Sequence, residues 1–178
     1  MKKLLRILPL ALILCLAFSC RGQEAVTELE MFRARAEVEE QNRESVKHYI
    51  EAFNKGDFEA FKEVLSPDYA VFNPSGSDTS SSREELIENY KGALDVFSEF
   101  TWSIEDMIAA GDKVICRIMA RGDYIGGVPG LPETGKEIAF SMISIMRIEN
   151  GKVVEEWQED DQLGLARQLE MELKPKEE

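Results

Sequence analysis

The sequence of 178 residues contains little histidine and little cysteine. His48 is the only histidine, and the cysteines are Cys15, Cys20 and Cys116. The chain therefore lacks the clustered Cys and His ligands of a zinc site and the Ser, His and Asp set of a hydrolase triad. It also lacks a Walker loop and a GxGxxG turn, the glycine-rich motifs that hold nucleotide phosphates. We accordingly expect no metal and no other cofactor.

Positive charge is scarce as well. The chain has 34 acidic and 21 basic residues, which gives a formal net charge of −13. Residues 1–19 hold three of the basic residues and no acidic one, so the rest of the chain has 18 basic and 34 acidic residues and a charge of −16. A surface of this sign repels nucleic acid and anionic lipid headgroups. We therefore expect no nucleic-acid partner.

The N-terminal segment is predicted to be a signal peptide. Basic residues at positions 2, 3 and 6 flank an apolar run over 7–18, which is short for a membrane span. The run ends in Leu-Ala-Phe-Ser-Cys, which resembles a bacterial lipoprotein signal. That resemblance implies removal of residues 1–19, lipidation of Cys20 and a lipid-anchored location at the bacterial cell envelope, on the periplasmic or the outer surface. The alternative is an ordinary cleaved signal with secretion.

The remaining chain is predicted to fold as one domain. Residues 20–37 are polar and form a tether or a helical extension, residues 38–172 form the domain, and residues 173–178 form a charged tail. With Cys15 in the signal, Cys116 is the only cysteine of that domain. It lies in an apolar run, so no internal disulfide is expected there and Cys116 is interpreted as a small buried hydrophobe.

Three helices are predicted in the first half of the domain. The first has apolar residues at i, i+3, i+4 and i+7, which are Val46, Tyr49, Ile50 and Phe53. Asp57 is a cap for a short second helix. Ser82 and Glu85 have the spacing of a capping box, and the helix that they open places Leu86, Tyr90, Leu94 and Phe97 on one side.

Strands dominate after residue 99. The predicted strands cover 100–109, 114–124 and 137–148, and a last strand follows the Asn-Gly turn at 150–151. Both sides of 137–148 are largely apolar, so the sheet is expected to be covered on both faces or to close on itself. Helices followed by a strand meander predict an α+β fold, with about three N-terminal helices packed on a strongly curved antiparallel sheet.

The last strand carries the chemistry that this sequence offers. Residues 151–169 read GKVVEEWQEDDQLGLARQL, a strand that runs into a short helix. Side chains alternate along a strand, which predicts one shared face for Val153, Glu155, Trp157, Glu159 and Asp161. If that face lines a cavity, an aromatic wall can desolvate the carboxyl group of Asp161 and make it a general acid or base. The alternative is a solvated acidic strand end.

Several motifs stand in an order typical of one family. They are YIEAFNKGD at 49–57, Asp68-Tyr69 before Asn73-Pro74, RGDYIG at 121–126, PETGK at 132–136, and GKVVEEW at 151–157 followed by Asp161 and LGL at 163–165. Together they resemble the SnoaL-like polyketide cyclases and ester cyclases of the nuclear-transport-factor-2-like superfamily, over about residues 42–170. The resemblance implies a cone of helices against a curved sheet that encloses a deep apolar pocket.

The resemblance also implies roles for individual residues. In the polyketide cyclases of the family an aspartate on the last strand is acid and base in an intramolecular aldol closure, without a metal or a covalent intermediate, and Asp161 matches that position. Tyr124 and Asn73 are the predicted polar orienters. Phe72 and Tyr124 stand where members often carry histidines. The predicted pocket wall comprises Phe53, Phe72, Phe97, Trp102, Met142 and Trp157.

The expected function follows from these observations and the resemblance. We expect an envelope-tethered, cofactor-independent cyclase or isomerase-type enzyme that acts on a small apolar carbonyl compound by acid/base chemistry. The alternative is a non-catalytic lipoprotein that binds a small apolar ligand or serves as a scaffold. The expected partners are that small molecule, the membrane through the lipid anchor only, and a second copy of the chain in a homodimer.

Overall fold

The computed structural model describes the backbone of residues 4–128, 131 and 133–171, and the side chains from residue 26 onward within these ranges. The chain divides into two compact units, Met1–Val38 and Glu39–Glu178. The side chain of Cys20 and the tail at 173–178 lie outside the described parts, so the predicted signal, tether and tail stay predictions. Over the residues that the structure describes, no helix is long and apolar enough to cross a membrane.

Two helices open the described chain, and a third helix separates two short strands from a run of four consecutive strands. The helices are α1 (Leu4–Asn54), α2 (Phe58–Val64), α3 (Arg83–Val96) and α4 (Gln162–Gln168). The strands are β1 (Leu65–Phe72), β2 (Ser81–Ser82), β3 (Phe97–Ala110), β4 (Lys113–Tyr124), β5 (Lys136–Glu149) and β6 (Lys152–Asp160). The strands form one open sheet in the order β2-β1-β6-β5-β4-β3. This confirms the predicted α+β, cone-like class.

The sheet is mixed, whereas an antiparallel sheet was predicted. β1 pairs with β6 in parallel, and the other neighbours are antiparallel. The three antiparallel pairs from β3 to β6 join strands that are consecutive in sequence, so tight turns or loops determine their direction. β1 and β6 are far apart in the sequence, because α3 and the strands β3, β4 and β5 lie between them. No hairpin dictates the direction of that pair, and the sequence pattern does not reveal it.

Local signals fix the helices of the second unit. Asp57 accepts a hydrogen bond from the backbone nitrogen of Ala60, and Ser82 and Glu85 form the capping box of α3. Side-chain acceptors thus satisfy N–H groups that a helix start leaves unpaired. The predicted apolar face of α1 is buried, each member being at most 5% exposed: Val46, Tyr49, Ile50 and Phe53.

The inner face of the sheet carries the core. β4 and β5 alternate as predicted, and their inward side chains include Val114, Cys116, Ile118 and Ala120 of β4 and Ile138, Met142, Met146 and Ile148 of β5. On the outer face, Ile143 is 51% and Ile145 36% exposed. The prediction that both faces are covered or that the sheet closes is therefore wrong for the described chain, because the sheet is open and its outer face meets solvent.

A bulge in β6 decides which of its side chains point inward. Opposite β5, Glu155 pairs with Arg147 whereas Val153 pairs with Ile148, so Val154 is an extra residue. One extra residue reverses the facing of everything that follows it in the strand. The strand therefore does not keep a single parity from residue 153 to its end.

The prediction of one shared face from Val153 to Asp161 is wrong for this reason. Val153 is fully buried, but after the bulge Glu156 and Gln158 are the buried residues, at 2% and 5% exposure. Trp157 lies on the outer face, opposite Ile145. The period-two rule is correct on each side of Val154 and fails across it.

Gly122 of β4 stands where a neighbouring ring leaves no room for a side chain. An added Cβ would lie 2.9 Å from Cδ2 of Phe100 and 3.1 Å from the carbonyl oxygen of Ser98. We expect Gly122→Ala to lower the free energy of unfolding by about 1–3 kcal/mol through overpacking, as measured by urea unfolding. Gly92→Ala in α3, where nothing lies within 4 Å, is the matched control and should not destabilise the protein. Equal stability of Gly122→Ala and wild type would contradict the prediction.

Candidate functional site

A cavity of about 330 Å³ lies between α3 and the inner face of the sheet. Its volume falls in the range of small-molecule sites. Aromatic side chains form much of the wall: Tyr90, Phe97, Phe100, Trp102 and Phe140. The polar lining residues are Asn73, Ser81, Asn89, Gln158, Asp160 and Gln162. A mainly apolar wall with a few polar groups suits a small, flat, apolar molecule that carries oxygen atoms.

Trp102 is the most firmly held part of the wall. Its indole stacks on Phe53, with ring centroids 3.7 Å apart, and meets the ring of Tyr90 edge-on at 4.9 Å. Its backbone is held as well, because Oδ1 of Asn54 accepts from the Trp102 nitrogen at 2.7 Å and Nδ2 of Asn54 donates to the Trp102 oxygen at 2.8 Å. This side of the cavity is therefore preformed.

Asp160 is the carboxylate of the cavity. Its Oδ2 accepts a hydrogen bond from Nδ2 of Asn73 at 2.8 Å, and its Oδ1 accepts one from Nε2 of Gln158 at 2.8 Å. Two amides thus hold the group by one bond to each oxygen, and a carboxylate oxygen has a further lone pair to offer. An oriented carboxylate at the edge of an apolar cavity can accept a proton from a bound molecule and return it.

Glu156 is a second carboxyl group on the same strand, four residues before Asp160. It is buried, with 2% of its surface exposed. Its Oε2 accepts from the hydroxyl of Tyr69 at 2.6 Å and from that of Tyr49 at 3.1 Å. Its Oε1 is hydrogen-bonded to Ser144. The Tyr49 hydroxyl lies 3.2 Å from that of Tyr90, which lines the cavity.

The environment of Glu156 favours its neutral form. Burial raises the pKa of Glu156, while the hydrogen bonds from Ser144, Tyr69 and Tyr49 act in the opposite direction. Burial likewise raises the pKa of Tyr49, Tyr69 and Tyr90 well above the usual value for a phenol. The cluster is therefore a set of hydroxyl groups whose ionisation is disfavoured, around a carboxyl group whose pKa lies above its ordinary value.

Three of the six predicted wall residues line the cavity, Phe97, Trp102 and Met142, and so does the predicted polar orienter Asn73. Phe53 lies behind the wall, stacked on Trp102. Tyr124 is 1% exposed and packs 5.8 Å from the ring of Phe97, and its hydroxyl has no hydrogen-bond partner within the described residues. It is not among the residues that line the cavity, so the structure does not bring it together with Asn73.

Phe72 and Trp157 lie on the other side of the sheet. Their rings stack on each other with centroids 6.1 Å apart, and Nζ of Lys113 lies 5.3 Å from the centre of the Trp157 ring. The expectation that they form the pocket wall is wrong, because the bulge at Val154 turns Trp157 outward and Phe72 is its partner in the parallel pair.

Asp161 is exposed and caps α4, where its Oδ1 accepts from the backbone nitrogen of Gly164 at 2.8 Å. The predicted position inside the cavity is wrong, since β6 ends at Asp160 and the chain turns there into the helix. The catalytic role assigned to Asp161 from the resemblance stays a prediction.

Sequence reasoning missed the polar residues that the cavity does contain. Asp160 and Gln158 were not among the predicted site residues, because the bulge that turns them inward has no signature in the sequence. Tyr90 was predicted only to share one side of the third helix with Leu86, Leu94 and Phe97, and it was given no role in the site. Within the described ranges, no group of three or more His, Cys, Asp or Glu side chains could hold a metal ion. Carboxyl, amide and hydroxyl groups are what the cavity offers, and proton transfer is the chemistry that they suit.

Comparisons with known proteins agree with the fold. The family model of the SnoaL-like polyketide cyclases matches residues 43–169. The structure is similar to IdmH from Streptomyces antibioticus, a candidate polyketide cyclase, with 28% identity and a TM-score of 0.67, over 74% of this chain and 99% of IdmH. It is also similar to TsrD from Streptomyces laurentii, with 27% identity and a TM-score of 0.63, over 72% of this chain and 94% of TsrD.

A third structure is similar in fold. It is a candidate polyketide cyclase from Acidithiobacillus ferrooxidans, 23% identical with a TM-score of 0.64, over 73% of this chain and 94% of that one. A search of curated proteins finds no match.

Proposed function

The chain belongs to the SnoaL-like polyketide cyclase family, and from this premise we propose that it is a cofactor-independent cyclase or isomerase-type enzyme with Asp160 as its proton-transfer group. The substrate is a small apolar carbonyl compound that binds against the aromatic wall. Asp160 removes a proton from the carbon next to the carbonyl group and returns it to another atom of the same molecule. Asn73 and Gln158 hold the carboxylate in place during both steps.

The observation that carries this proposal is the pair of amide hydrogen bonds to Asp160 at the edge of an aromatic cavity. A general base must be held within reach of the proton that it takes, and a carboxylate fixed by one bond on each oxygen meets that demand. The resemblance to IdmH, itself a candidate polyketide cyclase, supports the same class of reaction.

Exchange of carbon-bound protons tests the proposal without knowledge of the natural substrate. We expect the protein to accelerate the α-deuteration of 2-tetralone in D₂O, followed by NMR, above the rate in an equal concentration of acetate. 2-Tetralone is small, apolar and aromatic, and its α-protons are weakly acidic. Binding of 2-tetralone without faster exchange would overturn the enzymatic proposal and favour the alternative, a ligand-binding protein.

We also propose that the domain is tethered to the bacterial cell envelope by lipid on Cys20. The basic start, the short apolar run and the Ala-Phe-Ser-Cys ending support this. The remainder of the chain is strongly acidic, with 34 acidic and 18 basic residues, and its net charge repels anionic lipid, so we propose that the lipid on Cys20 holds the protein at the membrane.

Replacing Cys20 with Ser is expected to release the protein from the membrane fraction, because the variant has no thiol to acylate. The measurement is fractionation with detergent-free washing, followed by immunoblotting. Cys15→Ser is the matched control, since it changes a cysteine inside the predicted signal and should leave the protein in the membrane fraction. A Cys20→Ser protein that stays with the membranes would exclude the lipid anchor.

We further propose that two copies pair through the outer face of the sheet. Five apolar side chains stand in register there across five strands, namely Ile108, Ile115, Ile145, Trp157 and Phe72. The adjacent positions of this face carry both signs of charge, with Asp106 opposite Arg117 and Glu159 opposite Ile143. A face with an apolar stripe and charges of both signs can match a twofold-related copy of itself, which a uniformly acidic face cannot.

The oligomeric state tests this pairing. Ile145→Lys places a charge at the centre of the stripe and is expected to convert a dimer to a monomer, as measured by light scattering after gel filtration. Ile125→Lys changes another exposed isoleucine outside this stripe and should leave the mass unchanged. A monomeric wild-type protein at micromolar concentration would exclude the proposed pairing.

A further inference from the structure

Hydrogen-bonded hydroxyl groups connect the cavity wall to a buried carboxyl group that the proposed reaction does not use. The chain starts at Tyr90 on the cavity wall, passes to Tyr49 at 3.2 Å and ends on Oε2 of Glu156 at 3.1 Å. Three different elements supply these groups, α3, α1 and β6. A carboxyl group that is only 2% exposed is costly to bury unless its hydrogen bonds are satisfied, and here every link is made.

The chain can point in two directions. When Glu156 is ionised, Tyr49 donates to it, Tyr90 donates to Tyr49, and the oxygen of Tyr90 has only lone pairs left for the cavity. When Glu156 carries a proton on Oε2, its O–H donates a hydrogen bond to Tyr49, and Tyr49 donates one to Tyr90. The O–H of Tyr90 is then free to donate to a molecule in the cavity. Either hydroxyl of the tyrosine pair can be the donor at the observed distance.

We propose that Tyr90, Tyr49 and Glu156 form a proton relay, in which protonated Glu156 supplies a proton to the substrate oxygen while the base Asp160 removes one from the α-carbon. This rests on the proposed function, because it assumes that negative charge develops on a carbonyl oxygen in the cavity. Glu156 and Asp160 thereby take different roles, although both are inward carboxyl groups of the same strand.

The proton balance of the step is closed within the protein and its substrate. Asp160 takes a proton from the α-carbon, so a C–H bond breaks and an O–H bond forms on Asp160. The electron pair of the C–H bond forms the C=C bond of the enol, and the π pair of the C=O bond moves to the oxygen. Tyr90 gives its proton to that oxygen, Tyr49 replaces it, and Glu156 replaces the proton of Tyr49. Return of the enol to the ketone runs the same transfers backward, with a proton delivered to carbon by Asp160.

The relay has to be concerted, because neither tyrosine is a stable anion in this site. The groups that face Glu156 and can titrate are Tyr49 from α1, Tyr69 from β1, Tyr90 from α3, Cys116 from β4 and Asp160 along β6. Burial raises the pKa of Cys116 to about 12, so the thiol stays neutral. Tyrosine anions are disfavoured by the same burial. Glu156 is therefore the group of this cluster that can give up a proton to the tyrosine pair.

Tyr69 provides an internal control. Its hydroxyl donates to the same Oε2 of Glu156 at 2.6 Å, yet Tyr69 is not among the residues that line the cavity. Tyr69→Phe therefore removes a hydrogen bond of Glu156 without interrupting the path to the cavity. Tyr90→Phe and Tyr49→Phe interrupt that path and leave the bond from Tyr69 intact.

Infrared difference spectroscopy of the full chain tests whether Glu156 holds a proton. We expect a carboxylic-acid carbonyl band at neutral pH that shifts in D₂O and is absent from Glu156→Gln. We also expect 2-naphthol, whose hydroxyl imitates the enol, to move this band in the wild type and in Tyr69→Phe. It should leave the band unmoved in Tyr90→Phe and Tyr49→Phe. In fluorescence titrations, Tyr90→Phe should bind 2-naphthol about 2- to 10-fold more weakly, the effect of one hydrogen bond.

Each outcome bears on the relay separately from the reaction. Absence of the carboxylic-acid band from the wild type would overturn the relay, because Glu156 would have no proton to give. The relay would also be overturned if the band were present but changed neither on addition of 2-naphthol nor in the Tyr49→Phe and Tyr90→Phe variants. This holds whether or not 2-naphthol binds. If the infrared responses were as expected but the protein did not accelerate the α-deuteration of 2-tetralone, the proposed function would be contradicted. The hydrogen-bonded connection between the cavity and Glu156 would still stand.

Discussion

Asp160→Asn is expected to slow the α-deuteration of 2-tetralone by about 10²- to 10⁴-fold, the usual contribution of a general acid/base group. The substitution keeps the shape of the side chain and removes the oxygen that takes the proton. Asn can still accept one amide hydrogen bond through its carbonyl oxygen, so the fold should survive. The measurement is the NMR exchange rate at saturating 2-tetralone, with circular dichroism to confirm folding.

Asp161→Asn is the matched control for this prediction. It changes the adjacent residue by the same atoms, but Asp161 is exposed and caps α4. Asn is as good an N-cap as Asp, so neither the exchange rate nor the stability should change much. The opposite result, with Asp161→Asn inactive and Asp160→Asn active, would establish the role that the family resemblance assigns to Asp161 and contradict the assignment to Asp160.

Glu156→Leu is expected to lower the free energy of unfolding by about 3–5 kcal/mol, because it leaves buried hydroxyl groups without their acceptor. The groups that lose it are Tyr49, Tyr69 and Ser144. Glu156→Gln keeps an acceptor oxygen at the same place and should lose less. Urea unfolding of both variants and the wild type measures the difference. A Leu variant as stable as the wild type would show that the cluster contributes nothing to stability.

The pH dependence of the Gln comparison has a definite sign. Burial raises the pKa of Glu156 from its ordinary value of 4.5, so between 4.5 and the raised value the folded state holds a proton that the unfolded state has lost. Unfolding then releases a proton, and the stability of the wild type falls as the pH rises through this window. Glu156→Gln has no carboxyl group at this position, so its stability does not fall with pH for this reason. The stability advantage of the wild type over Glu156→Gln should therefore shrink across a series from about pH 5 to 8, and an advantage that grows with pH would contradict the raised pKa.

Residues that depend on local chemistry were predictable from the sequence. The capping box of Ser82 and Glu85 and the helical spacing around Tyr49 need only neighbours three or four residues away, and both predictions are confirmed. Strict alternation in β4 and β5 was predictable for the same reason, because the pairing of these two strands contains no bulge. Such features require no knowledge of the tertiary structure.

Residues that depend on long-range pairing were not predictable. Asp160 faces the cavity because of one extra residue opposite a strand that lies elsewhere in the sequence, and Asn73 reaches Asp160 only because β1 pairs in parallel with β6. The partnership of Tyr49 with Glu156 spans 107 positions. None of these contacts leaves a periodic pattern, and the candidate site is built largely from contacts of this kind.

The extra residue at Val154 lets one strand carry two alternations of opposite phase. Deleting Val154 alone would leave Val153 opposite Ile148 and Glu155 opposite Arg147, so the other side chains of β6 would keep their faces. A strand of unchanged length without the bulge would instead turn Trp157 and Glu159 towards the cavity and Gln158 and Asp160 away from it. The bulge, rather than the residue types of β6, thus decides which chemical groups the cavity receives. An ungapped comparison with a relative that lacks the extra residue would pair side chains that point in opposite directions.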